Sequence, residues 1–199
     1  MGEYYKPCIL SSKSKTAANK TKVIAYVSPW DFGNGCKQME FGYINNSVMN
    51  AFESLICREN GIYANLPIAL AGDYDDNEPY TFMKNSVNLY DLCDDELTNA
   101  KRITEDWLHH RNIHGKNYRY IINEDKMEFI DTNKIKGDKY GYKIHPIAIL
   151  CCNDVGKGGG CYRGLNEDKV GLWARNVVVV SDEKPTNEYK EVFYEFEEC

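Results

Sequence analysis

Nowhere does this chain carry an apolar run approaching the roughly 18 residues that a membrane span requires. The opening Met1-Gly2-Glu3-Tyr4-Tyr5-Lys6 has no apolar signal core. No membrane partner is therefore expected, and the protein is expected to stay in a cytoplasmic, reducing compartment. The chain has eight cysteines but no Cys-x-x-Cys pair. Without an export signal, and at 199 residues, the argument for a small secreted disulfide scaffold does not apply, so reduced thiols are expected. The adjacent Cys151 and Cys152 would point to opposite faces of a strand, which speaks against a zinc knuckle. Positive charge is also scarce, with 24 basic against 30 acidic residues and a formal charge of -6. That balance disfavours nucleic acid as a partner.

What is present describes an ordinary folding chain. Hydrophobic residues make up 43% and charged residues 27%, near the values of a typical globular protein. The length suits one domain over residues 1–199 with a substantial core. Fifteen tyrosines and an aromatic content of 13% suit half-buried strands better than a helix bundle. The fold class read from the pattern is α+β, with a mixed, mostly antiparallel sheet built from hairpins and two main helices packed on it.

Tyr4 to Leu10 and Lys22 to Val27 read as a hairpin across a Ser-, Lys-, Asn- and Thr-rich stretch at 11–21, expected to be a mobile loop. From Asn45 to Cys57 the apolar residues Val48, Met49, Phe52, Leu55 and Ile56 recur at three and four. That spacing predicts an amphipathic helix capped by Asn45, Asn46 or Ser47. A buried strand, Leu66 to Ala71, leads into the acidic Asp73-Tyr74-Asp75-Asp76. The spacing of Leu97, Ala100, Ile103, Trp107 and Leu108 predicts a second helix over Asp94 to Arg111. Tyr118 to Asn123 and Met127 to Asp131 form the clearest hairpin. Its outline echoes the first, which suggests two related halves. After the apolar run from Ile144 to Cys152, Val177 to Val180 predict a strand buried on both faces near the middle of the sheet. The acidic segment 183–199 is expected to pair along an edge.

Four motifs, Ala71-Gly72-Asp73-Tyr74-Asp75-Asp76, Ile144-His145-Pro146-Ile147, Gly156 to Tyr162 and Gly171-Leu172-Trp173-Ala174-Arg175, resemble a family of uncharacterised proteins of bacteria and large DNA viruses. The resemblance runs from the first hairpin to the valine strand. The chain departs from the family pattern at Lys157, Cys161 and Asn176. Because the family has no known activity, the resemblance implies a shared fold without a mechanism. For a viral protein, a virion location is also open.

Three constellations carry candidate chemistry. Gly156, Gly158, Gly159 and Gly160 around Lys157 leave backbone N–H groups able to form a nest around an anion. With Tyr162, Arg163 and Arg175 they are expected to receive an anionic small molecule such as a nucleotide. The Walker spacing is absent, and a flexible turn or close backbone crossing is the alternative. Asp73, Asp75 and Asp76 at a strand end are candidate ligands for a hard cation such as magnesium, against the alternative of a solvated loop. His145 and Asp154 are a candidate acid–base pair, provided that their side chains meet; a satisfied buried histidine is the alternative. His110 and His114, at i and i+4, lack the glutamate that zinc proteases place after the first histidine. Three classes of function follow. The leading one is an anion-binding protein. The others are a homodimeric or virion-associated interaction protein, whose tyrosines and tryptophans supply contact surface, and a metal-dependent hydrolase or transferase.

Overall fold

The computed structural model describes residues 3–13, 22–78, 87–94, 96–137, 140–154, 160 and 166–195. These form an α+β fold with two four-stranded sheets. The expected sheet is thus two sheets, each mixed and mostly antiparallel. In the first, β1 (Tyr5–Leu10) pairs antiparallel with β2 (Val23–Val27) and with β3 (Ile68–Gly72), while β4 (Lys101–Ile103) runs parallel to β2. In the second, β5 (Tyr120–Asn123) pairs antiparallel with β6 (Glu128–Asp131) and with β7 (Val178–Ser181), while β8 (Lys190–Glu191) runs parallel to β6. The strand orders are β3-β1-β2-β4 and β7-β5-β6-β8, so the two halves share one topology. The loop expected at 11–21 lies, from residue 14 onward, outside the described residues.

The halves also interlock. Between the hairpin and the third strand of each half stands a helix, α2 (Ser47–Leu55) in the first, where the short α1 (Gln38–Phe41) precedes it, and α5 (Pro146–Leu150) in the second. Each is capped by a side chain that accepts from a backbone N–H two residues on: Asn46 from Val48 at 2.8 Å, His145 Nδ1 from Ile147 at 3.2 Å. The chain leaving each helix then pairs with the other half's sheet. Cys57, after α2, bridges Val180 of β7 in parallel, and Cys152, after α5, bridges Leu70 of β3 in parallel. Two antiparallel bridges, Tyr43 to Ile144 and Pro67 to Val177, join the halves. One apolar core therefore draws on both sheets, with Ile9, Leu70, Ile121 and Val180 packed around Phe52, Leu55, Ile147 and Leu150.

The α2 prediction is met, since Val48, Met49, Phe52, Leu55 and Ile56 are all fully buried. The long second helix is not formed. In its place stand α3 (Leu89–Asp94), β4 and α4 (Glu105–His110). Asn99 adopts a left-handed φ of 51°, which a continuing right-handed helix cannot contain. Lys101 to Ile103 then gain a strand partner in β2, and Thr104, accepting from the Trp107 N–H at 3.1 Å, caps a new helix. The apolar period was real, but sheet pairing overrode it.

Strand β7 is buried on both faces as expected: Val178 and Val180 enter the shared core, and Val179 packs with Tyr120, Ile122 and Phe129. It ends its four-strand order instead of lying in the middle. Its outer edge is closed by the segment leaving α2, where the Arg58 N–H donates to the Val180 carbonyl at 2.9 Å. The acidic C-terminal segment does pair along an edge, through β8. The six described cysteines are buried thiols outside any disulfide, and among the described residues no helix is long and apolar enough to cross a membrane.

Candidate functional site

The C-terminal end of β3 gathers residues far apart in sequence. Gly72 pairs with Tyr5 at the start of β1, and the chain then turns through Asp73 to Asp76. The turn is fixed by its own polar groups: Asp75 Oδ2 accepts from the Gly72 N–H at 2.8 Å, and Asp73 Oδ1 accepts from the Tyr4 N–H at 2.9 Å. The segment that leaves α5 runs beside β3, with the Asn153 N–H donating to the Leu70 carbonyl at 2.9 Å. That places Asp154 where its Oδ2 accepts from the Asp76 N–H at 2.6 Å. The acidic turn and the Asn153-Asp154 segment therefore meet.

Arg175 joins them from the second half. Its backbone N–H donates to the Ile68 carbonyl at 2.9 Å, and a left-handed φ of 61° turns the chain there. Its guanidinium donates through Nε to Asn153 Oδ1 at 2.9 Å and through Nη2 to Glu78 Oε1, which also accepts from Asn153 Nδ2 at 3.1 Å. Arg175 and Glu78 form an ion pair whose side chains are 6% and 4% exposed, so the charge expected to attract an anion is engaged in the fold.

Beside this network lie polar groups with nothing to bond. The Tyr5 side chain is fully buried, and among the described residues its hydroxyl has no hydrogen-bond partner. The Glu3 carboxylate lies on the same surface of Gly72 as the Tyr5 ring. Burial first, with Cys152, Glu3 and Asp75 adding to it, pushes the phenol far above its usual range, so it keeps its proton. Gln38 donates through Nε2 to Cys152 Sγ at 3.0 Å and to the Ala148 carbonyl, which leaves its buried Oε1 without a donor. Gly160, at φ 48°, lies against both: a Cβ there would stand 3.6 Å from Gln38 Oε1 and 3.9 Å from the Tyr5 hydroxyl. Tyr5 and Asp75 in turn share one surface of Gly72, whose Cβ would meet Asp75 Oδ1 at 2.9 Å and Tyr5 Cε1 at 3.1 Å.

Burial, helped by Asp154 and Glu3 and opposed by the Gly72 N–H and Asn153, raises the Asp75 carboxyl to about 7. Near neutral pH this group is divided between acid and base, as a proton-transfer residue requires. In its protonated form it is a second O–H donor beside the Tyr5 phenol.

The structure thus brings Asp75, Asp76, Asp154, Arg175 and Gly160 into one region. His145 is elsewhere. Its Nδ1 caps α5, and its Nε2 donates to Glu53 Oε1 at 3.1 Å, both side chains 1% exposed. With both ring nitrogens engaged, it does not pair with Asp154. Burial raises the Glu53 carboxyl, against the pull of His145. Nor do Asp73, Asp75 and Asp76 converge: among the described residues no three His, Cys, Asp or Glu side chains are placed to hold a metal ion. Gly156, Lys157, Gly158, Gly159, Tyr162 and Arg163 lie outside the described residues. Glu78 was noted from sequence only as a neighbour of the acidic turn; Tyr5, Gln38 and Asn153 were not singled out, since nothing in their local patterns marks them. Their significance comes from burial and from partners distant in the chain.

No family model, curated protein or solved structure matches this chain.

Proposed function

We propose that the protein binds a small molecule at the end of β3 by an acceptor oxygen of carbonyl, carboxylate or phosphate type. The Tyr5 hydroxyl and the protonated Asp75 carboxyl are its donors, and Gln38 Oε1 takes a donor of the same ligand. What supports this reading is the pairing of an unpartnered, fully buried phenol with a carboxyl that holds its proton up to about 7. Leaving buried polar groups unmet costs about 1–3 kcal/mol each, and a ligand that meets them recovers that free energy. Two neutral O–H donors in a water-poor site also stabilise negative charge developing on oxygen, so the site suits acid–base chemistry at a carbonyl. The glycine-rich segment around Lys157 and Arg163 is the part of the sequence that adds positive charge for an anionic ligand.

The test is ligand-observed NMR with a fragment set of ketones, carboxylates and phosphates at pH 6 and pH 8. Hits should weaken at pH 8, as Asp75 loses the proton it donates. Tyr5→Phe should weaken them about tenfold, the equivalent of one hydrogen bond of ~1.4 kcal/mol. Asp75→Asn should keep binding and remove the pH dependence, because the carboxamide donates at either pH. Binding indifferent to pH and to Tyr5→Phe would overturn the reading. If it were then lost in Lys157→Ala, the ligand would belong to the glycine-rich segment alone.

A further inference from the structure

A cavity of about 330 Å³ opens between α2 and α4 and shares no residue with the strand-end cluster. Its apolar surface comes from Phe32, Ala51, Leu108 and Ile113, and its polar groups include Asn50, Glu105, His109 and His114. The volume lies within the range of small-ligand sites, as does this mixture of an apolar body with a few polar groups. Ser47, also in the wall, is engaged, accepting from Asn34 Nδ2 at 3.0 Å. Asn50 is different: its Oδ1 is buried and has no hydrogen-bond donor among the described residues. The terminal torsion of an asparagine is broad, so the amide can turn that oxygen toward a donor delivered from the cavity. Glu105 is exposed and, among the described residues, forms no ion pair. Arg111 and Lys101, which could have neutralised it, stand over the Trp107 ring at 4.8 and 5.7 Å.

The wall therefore offers an apolar surface beside a buried amide oxygen that lacks a donor among the described residues and an exposed acidic side chain. We propose that this cavity binds a small aromatic cation, an arylammonium or arylamidine, with its ring against Phe32, Leu108 and Ile113 and its N–H groups on Asn50 Oδ1 and Glu105. His109 and His114 also line the cavity. This inference is independent of the strand-end reading, because neither site uses the other's residues.

The probe is benzamidine, titrated into the full chain and followed by amide chemical shifts, with benzoate as the charge-reversed control. Saturable binding with a Kd on the order of 1 mM is expected, as suits a fragment of this size, with shifts centred on residues 47–51 and 105–115. Glu105→Gln, at an exposed position, should weaken benzamidine about fivefold. His114→Trp, which fills the cavity from its exposed side, should abolish binding while the rest of the spectrum is retained. Benzoate binding as tightly as benzamidine, no response to Glu105→Gln, shifts centred elsewhere, or no saturation by about 10 mM would each overturn the proposal.

Discussion

The two halves of this protein share a framework and differ at one end of it. The bridges of Cys152 to Leu70 and of Cys57 to Val180 fix the correspondence: Tyr5 and Gly72 in the first half stand in register with Arg119 and Asp182 in the second. At the second position everything is met and wet. Asp182 takes Lys116 at 2.6 Å and the Arg119 N–H at 3.4 Å, Arg119 also pairs with Asp131 at 3.0 Å, and Glu59 takes the Ser181 hydroxyl and the Cys57 thiol. At the first, the same backbone encloses a phenol and a carboxamide oxygen without partners and a carboxyl raised toward neutrality. The framework needs only the satisfied version to be stable. On the proposed reading, the unsatisfied version is the one whose unmet buried polar groups a ligand would meet.

The largest contrast should come from breaking one ion pair at each end. Arg175→Met strips buried Glu78 of its cation, though the Asn153 amide still donates to it, and should cost about 3–5 kcal/mol in urea unfolding. Lys116→Met removes a pair whose side chains are 54% and 57% exposed and should cost less than about 1 kcal/mol. Equal costs would mean that the two ends are energetically alike, and the comparison would fail.

The next contrast is one of sign against pH. Asp75 has its folded-state value raised from 3.8 to about 7, so the folded protein holds the proton that the unfolded chain releases. Its contribution is intact below pH 3.8 and is lost as pH rises through 7, a penalty on the order of 4 kcal/mol at ~1.4 kcal/mol per unit. Asp75→Asn should therefore stabilise the protein at pH 8 and change little at pH 3.5. At Glu59 burial pushes upward, but the hydrogen bonds from Cys57 and Ser181 outweigh it and hold the carboxyl below its usual value. Its small contribution is present near neutral pH and lost in acid, so Glu59→Gln should destabilise slightly at pH 7 and not at pH 3.5. Unfolding at the two pH values, with both variants, checks the opposite signs.

Much of this frame was legible in the sequence, and the reasons are local. Alternating residues and turn signals disclosed the β5–β6 hairpin. The three-and-four spacing from Val48 to Ile56 disclosed α2, and the resemblance between the hairpins hinted at the halves. The β4 segment was not legible, because Lys101-Arg102-Ile103 looks like strand only beside β2. Gly160 and Arg175 were named together, with Asp75 and Asp154 in other groups, but the meeting of all four depends on crossing the segment after α5 onto the first sheet, a long-range pairing that no window of sequence contains. His145 read as a candidate base because its partner, Glu53, lies 92 residues away.

The helix caps give a third contrast, of intermediate size. Asn46→Ala removes one capping bond from α2 and should cost about 1 kcal/mol. His145→Ala removes the matching bond from α5 and also strips Glu53 of its partner, so about 2–3 kcal/mol is expected. His145→Asn separates the two contributions, since it restores a cap and leaves Glu53 alone. If it matched the wild type in urea unfolding, the Glu53 contact would be worth nothing.

The smallest expected effect bears most directly on the site. Gly72 has no special backbone angle, but a methyl group there would fall 2.7 Å from Glu3 Oε1 and 2.9 Å from Asp75 Oδ1. Glu3, near the chain start, can swing away cheaply; Asp75 is held by the Gly72 N–H and buried. Gly72→Ala should therefore cost only about 1–2 kcal/mol but displace the Asp75 carboxyl from the Tyr5 side. Asp182→Ala, at the corresponding position, places its methyl where a side chain already stands and should cost under about 1 kcal/mol. The decisive reading is ligand binding by Gly72→Ala at a temperature where the variant is fully folded. Loss of the fragment hits there, with Asp182→Ala unaffected, would assign function to the first end of the framework. Retained binding in both variants would mean that the packing of Asp75 against Tyr5 is not what the ligand reads.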